Sequence, residues 1–130
     1  MELTKKEASE YVVQTDRTDK EGNPYFRLDV KPKPMKGVKG LAEGEYIIVK
    51  KNFADAQKKS SPKGFGDYFI TTVGVGDKNV TLFMNLKEGE DYNQCGGLGD
   101  EIKLIMTKVG YTNPKTGAET MYPRISFEKV

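Results

Sequence analysis

Asp67-Tyr68-Phe69-Ile70-Thr71-Thr72-Val73-Gly74-Val75-Gly76-Asp77-Lys78-Asn79-Val80-Thr81-Leu82-Phe83-Met84-Asn85-Leu86 reads as two strands joined at Gly76-Asp77-Lys78, residue types that suit a tight hairpin turn. Its second half alternates: Val80, Leu82, Met84 and Leu86 share one face, and Asn79, Thr81, Phe83 and Asn85 the other. An apolar face of that length marks the core side, so Phe83 points outward among polar neighbours. In the first half Phe69, Thr71, Val73 and Val75 alternate against Tyr68, Ile70 and Thr72. A simple hairpin register then puts Tyr68 on the outer face with Phe83.

Upstream, Tyr46-Ile47-Ile48-Val49-Lys50-Lys51-Asn52-Phe53 predicts a strand, and residues 54–66 a polar, lysine-rich loop with room for a helical turn at its start. Downstream, residues 87–99 are acidic and glycine-rich and allow one short helix at most. Residues 100–109 predict a strand, Asn113-Pro114-Lys115-Thr116-Gly117 a turn, and residues 121–128 a closing strand that Pro123 confines to an edge or a bulge. Before residue 31, the arms Tyr11–Thr15 and Tyr25–Val30 flank turn residues at 19–23 and predict a separate hairpin. Lys31-Pro32-Lys33-Pro34-Met35-Lys36-Gly37 predicts an extended basic connector.

The chain has 130 residues, 36% hydrophobic and 31% charged, enough for one domain with a modest core. It holds no histidine and a single cysteine, Cys95. That excludes Ser-His-Asp and Cys-His nucleophile systems, imidazole and thiolate zinc sites, and any intrachain disulfide. No catalytic residue, metal or cofactor is expected. Glu88, Glu90 and Asp91 lack the spacing of a calcium loop and read as solvated. Gly74-Val75-Gly76 and Gly96-Gly97-Leu98-Gly99 lack the spacing of a phosphate-binding loop and read as turns. No apolar run approaches a membrane span, and the first residues carry no apolar leader, so an intracellular, cytoplasmic location without membrane contact is expected.

The net charge of +2 is unevenly spread. Residues 31–63 hold nine basic and three acidic side chains, and residues 102–130 five and two; residues 1–30 and 64–101 are net acidic. A polarised surface follows.

The order strand, long basic loop, strand, tight turn, strand, irregular segment, strand, turn, strand resembles the OB fold, a five-stranded Greek-key barrel. Leu41-Ala42-Glu43-Gly44-Glu45-Tyr46 resembles the lead-in to its first strand, Gly76 to Met84 its central hairpin, and Gly99-Asp100-Glu101-Ile102-Lys103-Leu104 its fourth strand. The expected fold is all-β with a minor helix: an OB-like barrel over residues 41–130, preceded in the same domain by an additional N-terminal β-hairpin and connector over residues 1–40. The first forty residues depart from a minimal OB fold, and the helix between its third and fourth strands is weakly encoded.

The resemblance implies a site on the face of the second and third barrel strands, flanked by the loops at 54–66 and 109–119. Both loops lie in basic blocks. The implied nucleic-acid-binding residues are Lys50, Lys51, Lys58, Lys59, Lys63, Lys108, Lys115 and Arg124 for phosphates and Tyr68, Phe83 and Tyr122 for bases. The expected function is largely sequence-independent binding of single-stranded DNA in replication, repair or recombination, cellular or viral; RNA is not excluded, because no residue can be assigned to reading the 2′-hydroxyl. Two alternatives stay open: a β-barrel module for protein partners or self-association without nucleic acid, and a Phe83 ring packed under the N-terminal hairpin.

Overall fold

The computed structural model describes residues 2–62, 64 and 66–130. Among these, the chain forms nine strands and one α-helix: β1 (Thr4–Lys5), β2 (Val12–Thr18), β3 (Pro24–Leu28), β4 (Glu45–Lys51), β5 (Gln57–Ser60), β6 (Asp67–Val75), β7 (Lys78–Met84), α1 (Leu86–Gln94), β8 (Glu101–Thr112) and β9 (Glu119–Lys129). All strands belong to one mixed sheet. Within it β2, β3, β7, β6, β4, β8 and β9 lie side by side in that order, while β1 pairs with β4 and β5 with β6. None of the described helices is long and apolar enough to cross a membrane.

The β6–β7 hairpin forms as its alternation requires, with Val75 opposite Lys78 across a two-residue turn. Gly76 has φ of +62° there, a conformation that glycine adopts without steric cost. Val73, Val80 and Leu82 are buried in a core completed by Ile47 and Val49 of β4, Ile102, Leu104 and Met106 of β8, and Ile125 of β9.

The all-β class with a minor helix holds, but the architecture differs from a closed barrel with an appended hairpin. Among the described residues no ladder joins β7 to β9, so the sheet is open. The edge of β7 away from β6 is occupied by β3, running parallel, with Phe26 beside Val80 and Arg27 beside Thr81. Leu28 and Val30 are buried in the common core. The N-terminal hairpin is thus a continuation of the sheet.

Three local expectations also change. Residues 57–60 form a strand on β6 instead of a loop. The connector is not extended throughout: a 3-10 turn at Pro34–Lys36 lets Lys33 bridge back to Val38. The acidic segment opens with a nine-residue helix, the one short helix its composition allows, but its acidic residues are not all solvated. Asn85 Oδ1 accepts from the Glu88 N–H at 2.8 Å, and Glu88 Oε1 accepts from the Asn85 N–H at 2.9 Å, a capping box that satisfies two otherwise orphaned donors. Glu88, expected to be solvated, is 0% exposed. The helix sits against the free edge of β9, where Glu88 Oε2 accepts from the Ile125 N–H at 2.8 Å. Gly89 leaves the space that the Phe69 ring of β6 fills.

Candidate nucleic-acid interface

Cross-strand register assembles one outer face. Lys59 and Gln57 of β5 stand opposite Tyr68 and Ile70 of β6. Ile70 and Thr72 stand opposite Phe83 and Thr81 of β7, and Thr81 lies beside Arg27 of β3. At the other end Lys50 of β4 stands opposite Gly74. The face is wide because β3 extends it by a strand beyond β7.

Phe83 is 49% exposed, so it does not pack under the N-terminal hairpin, which lies beside β7 and not over it. Its ring centroid is 6.1 Å from that of Tyr68, with the planes tilted by 44°. Tyr25 and Phe53, neither singled out from sequence, expose 50% and 56% of their surface. Phe53 lies beyond the end of β4, and α1 holds its backbone. The Tyr92 hydroxyl donates to Phe53 O at 3.0 Å, and Asn93 Oδ1 accepts from the Ala56 N–H at 2.7 Å. With both ends of this bend fixed, the ring stays outside.

Three shallow hollows run into one another across this face. One of about 280 Å³ is lined by Phe53, Gln57, Ile70, Thr72 and Thr81. The next, about 520 Å³, shares Ile70 and Thr81 with it and adds Tyr25, Arg27 and Phe83. The third, about 430 Å³, shares Arg27 and Phe83 and adds Tyr68, Lys31 and Lys33. Each hollow thus has an aromatic ring in its wall, and the two that share Phe83 and Arg27 also have cations. Four carboxylates line the hollows: Asp29 is engaged by Arg27 in a two-pronged pair at 2.7 and 2.9 Å and Asp67 by Ser60 at 2.9 Å and Lys58 at 3.8 Å, while Asp16 and Asp55 lie at their borders. The Arg27 fork holds the Asp29 carboxyl below its ordinary pKa, and Asp29 raises that of Arg27.

Of the residues expected from sequence, Tyr68, Phe83, Lys50 and Lys59 share this face, and Lys58 flanks it. Lys63 lies outside the described residues. Lys51 is a correction. It is 0% exposed, with Nζ donating to the carbonyls of Tyr92 at 2.7 Å, Cys95 at 3.1 Å and Gly96 at 3.4 Å. A cation there meets the partial negative charge of a helix C-terminus and has no surface to offer a phosphate. Arg124 is half-buried, donates through Nη2 to Asp91 of α1 at 3.0 Å, and lines none of the three hollows. Lys108, Lys115 and Tyr122 are exposed on the distal β8–β9 arm, and none of them lines the three hollows.

Burial raises the Cys95 pKa above the ordinary thiol value, which keeps it protonated and unreactive. No group of three or more described His, Cys, Asp or Glu residues is placed to hold a metal ion. Compared with known protein families and with curated proteins, the chain matches none.

Proposed function

We propose that this protein binds single-stranded DNA, largely without regard to sequence, across the outer face of β5, β6, β7 and β3. The observation that carries the reading is the exposed Tyr68–Phe83 pair on a sheet face. Large exposed rings on a regular face are costly to leave in water and give bases a flat partner, worth roughly 1–3 kcal/mol per stacked base. Lys59, Arg27 and Lys33 supply cations beside the rings for phosphates, and Lys50 supplies one at the far end of the face.

The neighbour order β7, β6, β4, β8, β9, with α1 between β7 and β8, supports reading residues 41–130 as an OB-like Greek-key unit. Such a unit would act inside a cell in replication, repair or recombination, and RNA fits the same rings and cations. The rival reading, a module for protein partners, draws on Tyr111, Met121 and Tyr122, exposed on the distal β8–β9 arm.

Anisotropy titration of fluorescein-labelled oligonucleotides, single- and double-stranded, at two salt concentrations tests the proposal. The expected result is a preference for single strands that weakens steeply with salt. Phe83→Ala should remove roughly 1–3 kcal/mol of binding while leaving the denaturation midpoint almost unchanged. Absence of binding at low salt, or equal affinity for duplex, overturns the reading.

A further inference from the structure

Taking as its premise that the outer face receives a single strand, we propose that the strand leaves Phe83 over the N-terminal hairpin and its connector, with Arg27 contacting a phosphate. It does not run out along the β8–β9 arm. Two of the three hollows have walls built by the N-terminal region, and both include Phe83 and Arg27. The path from Phe83 therefore continues onto β3 without a break.

Arg27 is prepared for this role. Its Nε and Nη2 donate to the two oxygens of Asp29, whose side chain is 5% exposed, while the guanidinium keeps 40% of its own surface. The fork fixes the plane of the cation and leaves Nη1 with no protein partner among the described residues. A guanidinium held in place loses less side-chain entropy on meeting a phosphate than a free lysine does. Tyr25 opens onto one of these hollows and Lys33 onto the other, and Lys33 makes no salt bridge among the described residues. Phe83 and Arg27 border both hollows, with Tyr25 on one side of them and Lys33 on the other, so a strand crossing the hairpin meets rings and cations at close intervals. The arm offers no such continuity: neither Tyr111 nor Tyr122 lines any of the hollows.

The test compares four variants of the full chain by the salt dependence of binding to a fluorescein-labelled oligothymidylate. Arg27→Gln with Asp29→Asn removes one charge of each sign, so net charge is kept and no buried carboxylate is left unpaired. This variant and Lys33→Ala should each flatten the log–log slope by about 0.7, one phosphate apiece. Tyr25→Ala should weaken binding roughly 5- to 150-fold with the slope unchanged. Lys108→Ala with Lys115→Ala should change neither. If the slope falls only in the arm variant, or in none, the hairpin path is wrong while the outer-face reading survives on Phe83→Ala. If the wild type binds no single strand, both fall together. Should the Arg27/Asp29 variant not fold, Lys33→Ala and Tyr25→Ala, both at exposed positions, decide the matter alone.

Discussion

Glu88 and Lys31, 57 residues apart in the chain, meet at 2.8 Å with the carboxylate wholly buried. The same carboxylate accepts from the Asn85 N–H and the Ile125 N–H, so one side chain ties the connector, the start of α1 and the last strand together. Glutamine also serves in a capping box, but its amide would set a donor against either Lys31 or Ile125. Glu88→Gln should therefore lower unfolding stability by about 1–3 kcal/mol, seen as a shift in the urea midpoint with the slope of the transition unchanged. An unchanged midpoint would mean that the carboxylate matters only as a helix cap.

Lys51 makes a contrasting prediction. Burial pulls its pKa below the ordinary lysine value of 10.5, so the unfolded chain holds the proton more tightly than the folded one. Its contribution to stability should rise with pH between the lowered value and the ordinary one, because there the unfolded state binds more protons. Lys51→Met fills similar space yet orphans the helix-end carbonyls, and should cost about 2–4 kcal/mol. It should abolish that rise and leave the salt dependence of strand binding intact. Lys59→Ala, on the outer face, should do the reverse: normal stability and a slope lower by about 0.7.

The acid limb has a separate origin. Asp29 is held below its ordinary value of 3.8, chiefly by the hydrogen bonds from Arg27. A depressed carboxyl stabilises the fold fully above its unfolded-state pKa, and that contribution is lost as pH falls through the lowered folded value. Stability of the wild type should decline on acidification below about pH 4, and the Arg27→Gln, Asp29→Asn variant should decline less. Asp19, lowered by backbone donors from Asn23 and Glu21 in the β2–β3 turn, acts in the same window and keeps some of the limb in place. Denaturant midpoints from pH 2 to 6 on both proteins provide the measurement, and two identical profiles would contradict the assignment to Asp29.

The central hairpin was legible because period-two alternation and a Gly-Asp turn are local signals: Val80, Leu82 and Met84 pointed inward and Phe83 outward, as the burial pattern has them. What failed was everything decided by a distant partner. Lys51 looks like Lys50 in sequence, and only the approach of the end of α1 makes it a buried cap. Arg124 alternates outward, but Asp91 claims it. The capping box was readable, since Asn85 and Glu88 stand at the required spacing; glycine and acidic residues masked the helix that follows. Phe53 reads as the last residue of a strand, because nothing local says that β4 stops at Lys51. The parallel pairing of β3 with β7 joins segments more than fifty residues apart and leaves no local trace at all.

That pairing sets the last prediction. Residues 1–36 carry β3, which covers one edge of β7, as well as the buried Leu28 and Val30 and the connector that delivers Lys31 to Glu88. Each buried aliphatic side chain stabilises the fold by about 1.5–3 kcal/mol, and whole domains hold only about 5–15 kcal/mol. Removing both side chains, baring Val80 and Leu82 at a free strand edge and leaving Glu88 buried without its cation should exceed what the remainder can absorb. A chain of residues 37–130 should therefore lack a cooperative thermal transition by far-ultraviolet circular dichroism and bind 8-anilinonaphthalene sulfonate. Deleting residues 1–6 alone takes away the short β1, whose Thr4 and Lys5 are exposed, and the surface pair of Lys6 with Glu45, and should leave a cooperative melt at a slightly lower midpoint. If residues 37–130 melt cooperatively with native strand content, the hairpin is an accessory to a self-sufficient barrel, and Arg27 and Tyr25 would have to be tested as ligands carried on a removable arm.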